Sequence, residues 1–250
     1  MNRIGETRLN KHGTLMKAIV YNSCLDVVVE FQDEHKAKVH TTYTSFNKGQ
    51  VKNPYDKTVY DIGCLGLGSY QTNIDCKKAK AYKTWHDMIG RCYEEGRSGI
   101  YEAYYEICTV CEEWKCYQTF AKWYEENQYE CKGRLHLDKD ILYPGNKIYS
   151  PDTCLLVPQR INMVFTNKTN NRGLPNGIVQ QGNGYLAKYN HIELGVCDTV
   201  EEAYEIYAKE KEKHIKQIAD EYREIIPAYI YEALCRYKVD IKNDKNYIAA

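Results

Sequence analysis

The sequence predicts an α+β protein of three segments, and three observations predict it. Short runs of β-branched and aromatic residues fill the first segment. Apolar residues then recur at three- and four-residue steps, and a second set of short strand-like runs leads into one long helical stretch. The 250 residues have a hydrophobic fraction of 43%, enough for packed cores, which excludes wholesale disorder. No apolar run approaches the ~18 residues of a membrane span, so no membrane partner is expected. The opening Met1-Asn2-Arg3-Ile4-Gly5-Glu6 lacks the apolar core of a secretory signal. Eleven cysteines, an odd number, then point to reduced thiols in a cytoplasm, with a metal site as the other reading. The ratio of 24 Tyr to 4 Phe suits thin cores and wet interfaces, and A/T-rich coding bias explains it equally well.

Residues 1–62 read as a small β-barrel-like module. Leu15 to Tyr21, Asp26 to Phe31 and Val39 to Phe46 are strand-like, with Asn22-Ser23 and Lys48-Gly49 as turns before Val51. Gly63, Gly66 and Gly68 punctuate a linker over 63–80; without a lysine or a strand-helix context they predict no nucleotide cofactor. Residues 81–166 begin helical, with Tyr82, Trp85, Met88, Ile89 and Cys92 on one face. Val110, Trp114, Phe120 and Trp123 mark a second helix. Leu135 to Leu142 and Thr153 to Val157 then read as two strands around a turn at Pro144 to Lys147, and Pro158 opens a short helix. This is a ββα unit. Residues 167–250 hold three antiparallel strands, Gly177 to Val179, Tyr185 to Tyr189 and His191 to Gly195. Thr199 and Glu202 form a capping box for a long helix reaching Tyr222, and Pro227 separates a last short helix.

The ββα stretch concentrates polar chemistry. His136, Asp138, Lys139, Asp140 and Asn146 lie close together in sequence, and Asn162 sits on the following helix. Strand alternation puts His136, Asp138 and Asp140 on one face and Lys139 on the other. A one-metal nuclease uses such a set to hold a divalent ion beside a phosphate while a neighbouring base deprotonates water. A charged surface hairpin, with the carboxylates paired to Lys139, Lys147 or Arg160 and Asn146 serving the turn, explains the same residues.

The runs Leu137-Asp138-Lys139-Asp140-Ile141-Leu142 and Gly145-Asn146-Lys147-Ile148-Tyr149-Ser150-Pro151-Asp152-Thr153-Cys154 resemble phage and prophage proteins of the HNH (His-Me finger) endonuclease group. Trp85-x-x-Met88-x-x-Arg91-Cys92-Tyr93 and Val110-Cys111-Glu112-Glu113-Trp114 resemble the same group. Gly173-Leu174-Pro175-Asn176-Gly177-Ile178, Leu194-Gly195, Asp198-Thr199 and Glu201-Glu202-Ala203 are similar to the APETALA2-like DNA-binding domain, a three-stranded sheet on one helix. The resemblance covers roughly residues 80–235 and implies a phage-encoded, metal-dependent DNA endonuclease. It would act in the cytoplasm of an infected or lysogenic bacterial host. Asp138, Asp140 and Asn162 would bind Mg²⁺ or Mn²⁺, His136 or Lys139 would take the water proton, and Asn146 would stiffen the loop. The chain departs from the pattern where Lys139 stands in place of the histidine base.

The resemblance also implies a structural zinc on Cys92, Cys111 and Cys154, with Cys108 or His86 as fourth ligand; Cys108-x-x-Cys111 is the one close pair. Buried thiols packed as small hydrophobes are the alternative. In the APETALA2-like sheet, Gln180, Gln181, Asn183, Tyr185, Lys188 and Asn190 would face double-stranded DNA; a solvated polar sheet is the alternative. Charge restrains the DNA reading: residues 1–80 carry 12 basic and 8 acidic groups, and the whole chain balances 34 against 34. The rival function is therefore an inactive nuclease scaffold, acting as a DNA-binding regulator or as an inhibitor of a host defence protein.

Overall fold

The computed structural model describes residues 3–96 and 104–247. The chain forms two compact units, residues 1–125 and 126–250.

In the first unit, β1 (Thr7–Leu9), β2 (Leu15–Ser23), β3 (Asp26–Phe31) and β4 (Lys38–Thr41) form an antiparallel sheet in sequential order. Alternation on β3 buries Val27, Val29 and Phe31 against Met16 and Ala18 of β2. The expected barrel does not close: β1 and β4 remain edges. The reason lies at Thr42, whose hydroxyl accepts from the Ser45 amide at 3.2 Å and so caps α1 (Tyr43–Asn47). The run read as one strand thus ends in a helix. Its Phe46 enters the sheet's core, and no further strand bridges the two edges.

Residues 63–80, expected as a linker, are tied into this unit. The Val59 amide donates to the Gly63 carbonyl at 3.0 Å, and the Cys64 amide to the Lys115 carbonyl at 3.0 Å. A hairpin of β5 (Asn73–Ile74) and β6 (Lys77–Lys78) turns through Asp75 and Cys76, both at positive φ (48° and 60°). Then α2 (Lys80–Tyr93) buries Trp85, Met88, Ile89 and Cys92, the face its spacing predicts. The Trp85 indole donates to the Trp114 carbonyl at 2.7 Å. The helix expected over Val110 to Trp123 begins late: Val110 lies on β7 (Thr109–Val110) and Trp114 in a 3-10 turn at Glu112–Lys115, and only then does α3 (Tyr117–Asn127) bury Tyr117, Phe120, Ala121 and Tyr124.

In the second unit, β8 (Leu135–Asp138) pairs antiparallel with β10 (Leu155–Pro158), setting Asp138 opposite Leu155 and His136 opposite Val157. Between them lies β9 (Ile148–Tyr149), and α4 (Gln159–Val164) follows directly, so this stretch is a ββα unit. Farther on, β11 (Ile178–Gln181), β12 (Gly184–Tyr189) and β13 (Ile192–Cys197) form a three-stranded antiparallel sheet. The capping box at Thr199 and Glu202 opens α5 (Val200–Glu221), and α6 (Ala228–Arg236) starts after Pro227. With 22 residues, α5 is about 33 Å long and serves two cores. Its Ala203, Tyr204, Tyr207 and Ala208 pack on the sheet. Its Ile215, Ile218 and Ala219 pack with Ile141, Leu155, Val157 and Ile161 of the ββα region and Ile230 and Leu234 of α6. One helix therefore joins the hairpin and the sheet into a single unit.

Candidate functional site

The loop leaving β8 brings together four of the residues singled out in the sequence. Asp138 ends the strand, buried, and its Oδ1 accepts from the amides of Asp140 and Ile141 at 2.8 and 2.9 Å. That turn lets the chain leave the sheet while Ile141 enters the aliphatic core. Burial pushes the Asp138 carboxyl up to about 6; the Asp140 charge adds to this, and the two amides oppose it.

Lys139, also buried, points its Nζ at both oxygens of Asp140, at 2.9 and 2.9 Å, and donates to the Asn146 carbonyl as well. Asn146 closes the loop from the other side. Its Nδ2 donates to the Lys139 carbonyl at 3.0 Å and the Ile148 carbonyl at 2.7 Å, while its Oδ1 accepts from the Ile148 amide at 3.1 Å. Gly145 permits the approach: its φ is +79°, and a Cβ there would come within 2.6 Å of Asn243 Oδ1. The cluster is thus a loop tied to itself by hydrogen bonds to its backbone and between its side chains.

His136 is half-buried on β8, on the same strand face as Asp138. Asn162 is half-buried on α4, and no hydrogen bond links it to Asp138. Among the described residues no group of three or more His, Cys, Asp or Glu side chains is placed to hold a metal ion. The donor set read from the sequence fits a divalent cation poorly on its own chemistry. Asp140 is engaged by a lysine, and one oxygen of Asp138 serves two amides. Of the cysteines considered for zinc, Cys92 and Cys108 are buried and Cys111 is half-buried, all in the first unit; Cys154 is buried in the second. Burial pushes the Cys154 thiol up to about 12, so it stays protonated at neutral pH.

The residues expected to face DNA divide between the sheet's two sides. On β12, Tyr185, Ala187 and Tyr189 pack toward the core beneath α5. Tyr185 also lines an open groove of about 350 Å³ with Leu174, Pro175, Asp198 and Glu201, whose carboxylates repel phosphate. Gln180 pairs with Tyr185 and so shares its side of the sheet. Gln181 and Lys188 occupy the other side, where Lys188 Nζ meets Glu193 of β13 at 2.9 Å. Asn183 sits in the β11–β12 turn, and Asn190, at φ 47°, shapes the β12–β13 turn. Glu193 is the residue that sequence reading missed. It neutralises the one lysine of this face, and only the strand register, with its bulge after Ala187, brings the two together.

No family model, curated protein or solved structure matches this chain. The site's chemistry therefore rests on the geometry above. No helix among the described residues is long and apolar enough to cross a membrane.

Proposed function

We propose that this chain is a phage-encoded protein that binds double-stranded DNA without cutting it, an HNH-like hairpin kept as scaffold beside an APETALA2-like sheet and helix. The observation that carries the non-hydrolytic half is Lys139. It stands where the nuclease pattern has its histidine base, and it is buried with its ammonium donating to Asp140 and to the Asn146 carbonyl. An ammonium so engaged has no lone pair with which to accept a proton from water. Asp138 shapes the turn, and no step is derived through a metal. The DNA-binding half draws on the sheet face away from α5, where Gln181 can pair with adenine edges and Lys188 can reach a phosphate once freed from Glu193.

A second reading, a protein that docks on a host defence component, is favoured by one feature. The edge strand β13 exposes Ile192 at 61% and Val196 at 56%. Fluorescence anisotropy with A/T-rich duplexes at low salt, run beside plasmid nicking with Mg²⁺ or Mn²⁺, separates the readings. Binding with intact supercoiled plasmid is expected. Metal-dependent nicking that disappears in Asp138→Ala would restore the endonuclease. Absence of binding, with a host protein co-purifying, would move the function to the protein partner.

A further inference from the structure

The glycine-punctuated stretch after the N-terminal sheet lies against the start of α3 and brings two cysteines distant in sequence side by side. Cys64 and Cys116 are partners in a parallel β-bridge. The Cys64 amide donates to the Lys115 carbonyl at 3.0 Å and the Tyr117 amide to the Cys64 carbonyl at 2.9 Å, so the backbone is clamped on both sides of the pair. Paired strands run about 4.7–4.9 Å apart, inside the Cα separation of roughly 4.4–6.8 Å that a disulfide spans. The two thiols lie close enough to act on each other's ionisation. Both residues are half-buried, so a small oxidant can reach them.

The two sulfurs are not equivalent. Cys116 immediately precedes α3, and its thiol ionises more readily than a free one, the Cys64 neighbour first among the causes and the amides of Gln118 and Thr119 at the head of the helix adding to it. Those neighbours, together with the helix N-terminus, favour the thiolate. The Cys116 neighbour and burial push the Cys64 thiol the other way. Gly66 completes the arrangement: at φ +72°, a Cβ there would lie 2.4 Å from Cys116 Sγ, so only glycine lets the loop close over the sulfur.

We propose that Cys116 and Cys64 are a hydroperoxide-reactive pair, Cys116 the attacking sulfur and Cys64 the resolving one, which closes into a Cys64–Cys116 disulfide. The Cys116 thiolate attacks one peroxide oxygen; the O–O bond breaks, and the departing hydroxide takes a proton to leave as water. The sulfur, oxidised by two electrons, becomes a sulfenic acid. The Cys64 sulfur then attacks it, the S–S bond forms, and the sulfenic oxygen leaves with the Cys64 proton as a second water. Two thiols and one hydrogen peroxide thus give one disulfide and two waters. The backbone clamps already hold the two residues in register.

The test uses the full, fully reduced chain at pH 7 with one equivalent of hydrogen peroxide, thiol blocking at timed intervals and peptide mass spectrometry. The expected product is a peptide pair linked through Cys64 and Cys116, lighter by two hydrogens. It should form at least about tenfold faster than oxidation of the exposed Cys24 or Cys76. Cys64→Ser should leave Cys116 as a sulfenic acid that dimedone captures, and Cys116→Ser should abolish both products. Should either variant misfold, the wild-type rates decide alone. Linkage of other cysteines, or Cys24 and Cys76 reacting as fast as the pair, overturns the proposal.

Discussion

Asp138 is a carboxylate that folding makes harder to ionise, and its effect on stability has a definite sign. An unfolded aspartate titrates near 3.9, whereas burial raises Asp138 to about 6 in the fold. Between these values the native state binds the extra proton. Stability therefore falls as pH rises through that window, and the penalty is complete above about 6. Its size is on the order of 2–3 kcal/mol. Asp138→Asn keeps an oxygen for the two amides and removes the charge, so its urea midpoint should lose most of the wild-type decline between pH 4 and pH 7. An undiminished decline in the variant would show that another group governs it. Asn146 makes a separate prediction. Truncation to alanine deletes three hydrogen bonds across the loop and should cost about 1–3 kcal/mol; a thermal melt unchanged within a degree would count against the tie. The turn role of Asn146 was legible from its Pro-Gly-Asn setting. The pairing of Asp140 with Lys139 was among the alternatives the sequence offered, whereas the bond from Lys139 to the Asn146 carbonyl was not, because it needs the loop to fold back after the strand ends at Asp138.

At the level of elements, the strands and helices followed from local pattern wherever burial has a strict period. The α2 face, the capping box at Thr199, the helix start at Pro158 and the break at Pro227 all lie where the sequence put them. The barrel failed at one residue, since Thr42 can continue a strand or cap a helix and only its Ser45 contact decides. Gly177 shows the reverse case, a glycine whose need is tertiary. Its φ is +82°, and a Cβ would fall 2.2 Å from the Tyr207 ring and 2.8 Å from the Lys188 carbonyl. Gly177→Ala should therefore destabilise the sheet–helix contact by roughly 2 kcal/mol or more. A drop of several degrees in Tm checks this, and full retention of Tm would mean that the ring yields freely.

Across the whole molecule, the balance of 34 basic and 34 acidic residues limits the salt dependence that the proposed DNA binding can show. Each neutralised phosphate contributes about −0.9 to the slope of log K against log salt, and the sheet face away from α5 offers Lys188, already paired with Glu193. For this one lysine the measured slope should be shallow, near about −1. Glu193→Gln should tighten binding at low salt, whereas Lys188→Ala should weaken it and flatten the slope by about 1. Identical affinities for all three proteins would exclude this face from the contact. The sequence by itself determined the α+β class, the ββα order and the capped long helix, because period and turn chemistry are local properties of neighbouring residues. The tertiary structure alone decided that α5 serves two cores, that Lys188 meets Glu193 and that Cys64 meets Cys116. Those pairings depend on strand register and on which surfaces pack, and register is set by burial summed over a whole sheet rather than by any one residue's preference.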